Sequence, residues 1–217
     1  MELYIDDRGQ SNRKQQEYIM KRPQILDIVE SAGFKIFENG DYNLNIIGVR
    51  TPLGAAVPNR FDDMLHCVYK KSGQWEHHKY RITTEPGKYW LLNGRKKGTA
   101  VMCSPQQVRG GWQIGKHRGK YDALCQRLPV RVWRDSDRDE IAEESKIIDE
   151  GIFGINIHRS NPSRESLFVD KYSAGCQVFA SPIEFDHFML RCREQIEHRG
   201  WPTFTYTLIT GKYNEEY

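Results

Sequence analysis

Two residue types able to carry out acyl transfer stand near each other late in the chain. His158 ends the alternating run Ile155-Asn156-Ile157, and Cys176 follows 18 residues later in the turn Ser173-Ala174-Gly175-Cys176. A free thiol is mostly protonated at neutral pH; a histidine within reach can take the proton and leave a nucleophilic thiolate. Attack on a carbonyl then needs backbone N–H groups aimed at the developing oxyanion. Gly175 permits a sharp turn that presents the sulfur, and Ser173 can hydrogen-bond that turn from within. Such a cysteine would alkylate with a depressed pKa. The connection from Arg159 to Tyr172 can fold over as a substrate-binding loop. Each residue also has an ordinary reading: a buried core cysteine, and a strand-end histidine satisfied by the fold.

The pattern Ile-x-Ile-His, a loop, then Ser-x-Gly-Cys resembles the catalytic motif of the L,D-transpeptidase (YkuD-type) family. The upstream stretch Thr83 to Leu91, TTEPGKYWL, is similar to that family's Thr-Pro-x-Gly-x-aromatic strand. These marks cover roughly the last 135 residues, and residues 1–60 have no counterpart in the resemblance. The whole chain also looks like proteins of bacteriophages and their hosts. The resemblance implies a mainly β catalytic fold, a cysteine acyl-enzyme and peptidoglycan stem peptides as substrate. Cys176 would be the nucleophile and His158 the base. Gly175 and Cys176 would supply oxyanion N–H groups, and Ser173 would brace the turn. Apart from the resemblance, charge and position suggest Arg159, Lys171 or Arg164 to hold a carboxylate of the stem peptide, with Tyr172, Gln177 and His117 as further substrate-binding candidates. The family pattern is not kept throughout. Ala174 stands where a histidine is usual, Arg159 where glycine or serine follows the base, and Gln177-Val178 where an apolar residue and Arg or Asn follow the cysteine. These departures favour hydrolysis over transpeptidation, since a hydrolase needs only water as second nucleophile. An inert wall- or protein-binding module of the same fold remains the alternative, as does a transpeptidase or a cysteine enzyme acting on another amide. A role in phage lysis or wall penetration would fit a wall substrate.

Other clusters read as ordinary. Cys67, Cys103, Cys125 and Cys192 show no CxxC spacing, so no zinc ribbon or redox pair is written. His77 and His78 are adjacent in a strand and point to opposite faces. Asp135, Asp137 and Asp139 alternate like a calcium loop, but Glu140 and Lys146 occupy the positions that need glycine and glutamate. Gly110, Gly111 and Gly115 lack the strand–helix context of a dinucleotide fingerprint. His117 and Arg118 sit in the glycine-bracketed KHRGKY, either lining a cleft or forming a solvated basic loop. No cofactor and no metal are expected.

A net charge of +3 is too mild to announce nucleic-acid binding. No apolar run approaches a membrane span, and the polar start resembles no signal peptide, so synthesis in a cytoplasm without a leader is expected. Oligomeric state is not legible. The 217 residues suit one domain that buries a core without disulfides.

The elements that must hold these residues read as follows. Residues 1–40 are expected to form an arm and a helix, and 41–217 a single L,D-transpeptidase-like domain. Pro23 opens a helix with Ile25, Ile28 and Val29 on one face and Gly33 as its stop. Strands are expected at Leu44–Val49, at Met64–Tyr69 and His78–Ile82 around Ser72-Gly73, and at Tyr89–Leu92 and Thr99–Cys103. Short helical turns are expected between Ser104 and Leu128, one over Tyr121–Gln126. Val130–Trp133, Ile152–Ile157 and Phe204–Ile209 read as strands, with Asp135–Lys146 a solvated loop. Ser181-Pro182-Ile183-Glu184 caps a helix burying Phe188, Met189, Cys192 and Ile196, closed by Gly200. The fold class is mainly β, a β-sandwich or open barrel with a few helices, α+β overall.

Overall fold

A computed structural model describes residues 21–94 and 96–211; the expected N-terminal arm lies outside them. The first described element is helix α1, Gln24–Ser31, which buries Ile25, Leu26 and Val29. Three strands follow, β1 (Asn45–Arg50) and then the hairpin β2 (Asp63–Lys71) and β3 (Gln74–Thr83). Ser72 and Gly73 both take positive φ, the backbone that a two-residue hairpin turn requires.

A closed eight-stranded barrel runs in the order β1-β11-β5-β6-β9-β10-β3-β2. It is completed by β5 (Gln106–His117), β6 (Tyr121–Gln126), β9 (Ile157–Arg159), β10 (Gln177–Phe179) and β11 (Thr203–Thr210). A second sheet orders β4 (Thr99–Met102), β7 (Val130–Asp135) and β8 (Ile148–Gly151) as β4-β7-β8. Inward residues Trp112, Leu124, Ile157, Phe179, Tyr206 and Leu208 make the main core. Helix α3 (Pro182–Arg199) adds Phe185, Phe188, Met189 and Cys192 to it. Ser181 Oγ accepts the Glu184 N–H and Gly200 closes the helix at φ 68°, so both ends are written locally. On the outside, α1 packs against Ile47, Val49, Val68, Trp75 and Ile209. Among the described residues no helix is long and apolar enough to cross a membrane.

Three local expectations are corrected. Tyr89–Leu92 is not a strand but part of α2, Lys88–Leu92, so β4 pairs with β7 instead. Ser104–Leu128 holds no helical turns: β5 and β6 form a long hairpin with Lys116 opposite Asp122. Cys125 is therefore on a strand. The expected strand Ile152–Ile157 begins only at Ile157. Before it, the Gln126 side chain takes the N–H groups of Phe153 and Ile155 at 3.1 and 2.9 Å, and Gly154 turns the chain at φ 76°. These N–H groups are satisfied without a neighbouring strand.

Candidate active site

Parallel pairing of β9 with β10 sets Val178 opposite His158 and Gln177 opposite Ile157. Side chains alternate across a strand, so one face turns into the core and the other outward. Ile157 and Phe179 take the inner face, and Gln177 goes with them. It is fully buried, accepts the Tyr206 hydroxyl proton at 2.8 Å and has no access to a substrate. The expectation that Gln177 contacts substrate is corrected by this two-residue period. His158, Asn156 and Cys176 belong to the other face.

The segment before β9 holds the sulfur through its main chain. Cys176 Sγ accepts the Asn156 N–H at 3.5 Å and donates to the Gly154 carbonyl at 3.4 Å. Ser173 Oγ donates to the Cys176 carbonyl at 2.8 Å and accepts the Gly175 N–H at 3.2 Å, closing the turn on itself. Gly175 adopts φ 117°, and a Cβ there would collide with the Ala100 carbonyl. No other residue fits that position. The Gly175 N–H, expected to be free for an oxyanion, is engaged by Ser173.

His158 is 3% exposed. Its Nδ1 lies 2.8 Å from the Arg159 carbonyl oxygen and 3.3 Å from the Tyr121 hydroxyl. A carbonyl only accepts, so Nδ1 carries the ring proton and Nε2 carries the lone pair. Nε2 is buried and has no hydrogen-bond partner among the described residues. No hydrogen bond joins it to Cys176. Tyr121 donates to the same Arg159 carbonyl at 3.1 Å, and the Arg159 guanidinium stacks on the Tyr121 ring at 4.0 Å.

A second imidazole lies against the first. His117, at the end of β5, stacks on His158 with ring centres 4.0 Å apart. Asn156 Oδ1 accepts the Gln126 N–H at 2.9 Å, which turns Nδ2 toward His117 Nδ1 at 3.0 Å. His117 Nδ1 therefore accepts, and its proton is on Nε2. Asn156 thus ties β6, His117 and Cys176 together; sequence reasoning left it out, though it sits two residues before His158.

Charge in the site is suppressed. Burial, then the neighbouring His117, pushes His158 down to about 3. Burial pushes the Cys176 thiol up to about 11, against opposing pulls from the Asn156 N–H and Arg118. The resting pair is a neutral thiol and a neutral imidazole. The expected thiol of depressed pKa is not what the fold holds.

Of the remaining residues, Lys171 stacks over Tyr89 at 4.3 Å and borders a depression with Asp170 and Tyr172, separate from the His117–His158 stack. Arg159 faces Tyr121 and Phe185. A second cleft, of about 440 Å³, lies beside the cysteine turn, lined by Trp90, Thr99, Ala100, Arg118, Phe153 and Ala174 among others. Asp137, Asp139 and Glu143 come within 4.8 Å of one another, all exposed. Comparison of the chain with protein-family models, curated proteins and solved structures returned no match.

Proposed function

We propose that the protein is a cysteine acyl-transfer enzyme of L,D-transpeptidase-like fold that hydrolyses amide bonds in peptidoglycan stem peptides. The observation that carries this reading is His158. Its proton is fixed on Nδ1 by the Arg159 carbonyl, and its lone pair is left on a buried, unpartnered Nε2. An unmet buried polar atom costs about 1–3 kcal/mol, and folds keep few of them without a use.

His158 Nε2 takes the Cys176 proton as Sγ bonds to the substrate carbonyl carbon. The oxyanion rests on the Cys176 N–H, since Ser173 holds that of Gly175. The C–N bond then breaks and the amine leaves with the proton from His158. Water, deprotonated by the same nitrogen, attacks the thioester and releases acid and thiol. A low-charge resting pair suits this sequence, because charge develops only with substrate bound. A wall substrate fits lysis or wall penetration by a phage, as the resemblance implies. A second reading, an inert wall- or protein-binding module, draws on one observation: Sγ is bonded to main chain rather than to His158.

Incubation with muropeptides, followed by mass spectrometry of both partners, decides between them. Acyl transfer requires shortened or uncross-linked muropeptides and a mass adduct on Cys176, both lost in Cys176→Ala. Unchanged muropeptides and an unmodified cysteine, with the protein folded, would leave the binding module.

A further inference from the structure

The cleft beside the cysteine turn has a chemical bias. Ala100 and Ala174, on either side of Gly175, form part of its wall, and Phe153 precedes the Gly154 that holds Sγ. Trp90, Phe153 and the largely exposed Ile152 make it partly apolar. Two arginines line it. Arg134 is committed: it pairs with Asp149 at 2.8 Å and lies over the Phe153 ring at 4.6 Å. Arg118 is exposed at the tip of the β5–β6 hairpin and forms no ion pair among the described residues. Its charge bears on His117, Tyr121, His158 and Cys176 alike. Arg159 and Lys171 are turned elsewhere, onto Tyr121 and onto Tyr89.

We propose that Arg118 is a specificity-determining residue that holds a carboxylate of the acyl donor in this cleft, so that Cys176 prefers anionic acyl groups. The proposal rests on the acyl-transfer reading above. Guanidinium is suited to the task because its planar fork meets a carboxylate with two parallel N–H donors. Neighbouring His117 supports the same preference: its Nε2–H is a neutral donor that no described residue uses. A partly apolar wall with Arg118 unpaired among the described residues matches a short peptide bearing a free carboxylate better than a neutral chain.

Charge-matched alkylation tests this without turnover. Iodoacetate and iodoacetamide have similar size and differ by one negative charge. Their rate constants at Cys176 are measured near ~pH 9, where some thiolate is present, with mass spectrometry locating the label. The iodoacetate-to-iodoacetamide ratio is expected to fall about threefold in Arg118→Gln and further in Arg118→Glu, as for loss of one exposed ion pair. Lys120→Gln, the same charge change on the same turn, should leave the ratio unaltered. A ratio unchanged in both Arg118 variants, with Cys176 labelled normally, overturns the carboxylate site and spares the cysteine chemistry. Refusal of both reagents by Cys176 in the folded protein overturns the acyl-transfer reading, and the carboxylate site with it.

Discussion

At the scale of single residues, no hydrogen bond joins His158 to Cys176, so the proposed acyl transfer needs substrate to connect them. Replacing His158 by Ala removes the proposed proton acceptor and is expected to lower the proposed muropeptide turnover by about 10²–10⁴-fold, read in a steady-state assay. On the proposed mechanism Tyr121 is a positioning residue, since its hydroxyl shares the Arg159 carbonyl with the His158 ring. Tyr121→Phe should lower kcat several-fold and leave KM near its starting value, because nothing that touches substrate is lost. An equal rise in KM would refute that assignment. Gly175→Ala should be far worse than its size suggests. The methyl group meets the Ala100 carbonyl and the backbone sits at φ 117°, so the turn must move. Loss of acyl-enzyme together with a lowered melting temperature is the expected result.

At the scale of elements, β9 and β10 contribute only three residues each yet hold the proposed base and align the proposed nucleophile. Short strands suffice because their flanks are tied down by side chains: Gln126 laces residues 151–155, and Trp112 Nε1 donates to the Ile155 carbonyl at 2.8 Å. Helix α3 is the counterexample, an element that carries its own instructions. Ser181→Ala removes its N-cap acceptor and should cost about 1 kcal/mol in denaturant unfolding, with acyl transfer unchanged. A loss of activity without loss of stability would mean that α3 does more for the site than pack behind it.

For the whole molecule, buried titratable groups set opposing limits on stability. Burial lowers His66 to about 3 and His77 to about 4, and likewise lowers His117 and His158 to about 4 and about 3. Neutral burial of these rings stabilises the fold above their unfolded pKa near ~6.5, and that contribution is lost as pH falls. Glu85 acts in the other direction. Asp63 accepts from the N–H groups of Thr51 and Thr84 and from the Thr84 hydroxyl, each at 2.7 Å, which suits it to carry the charge. Burial, and next the Asp63 carboxylate, pushes Glu85 up to about 8. A raised carboxyl stabilises the protein fully below its unfolded pKa of about 4.3, and that contribution is lost as pH rises through about 8. Melting temperature should therefore peak close to neutrality and decline on both sides. Glu85→Gln should flatten the decline up to about pH 8, leaving the acid limb and the loss at higher pH from raised thiols such as Cys176. A decline up to about pH 8 that survives the substitution would assign it to another group.

Some of this was fixed by local chemistry and so was readable in advance. The β2–β3 hairpin, the Pro23 and Gly33 bounds of α1, and α3 with its serine cap depend on nearest neighbours and periodicity. The Ser173–Cys176 turn does too, because a small hydroxyl and a glycine close it within four residues. Strands β5 and β6 were not readable: three glycines interrupt the first, and the Ala-Leu of the second favours helix. Pairing of the two with each other, and with β11 and β9, outweighed both tendencies. The burial of Gln177 depended on register, which belongs to two strands and not to one. His117, Asn156 and Arg118 reached the site because β6 aligns beside β9, bringing together residues some forty positions apart. The raised thiol and lowered imidazole followed from burial, a property of the packed molecule and not of any residue in it.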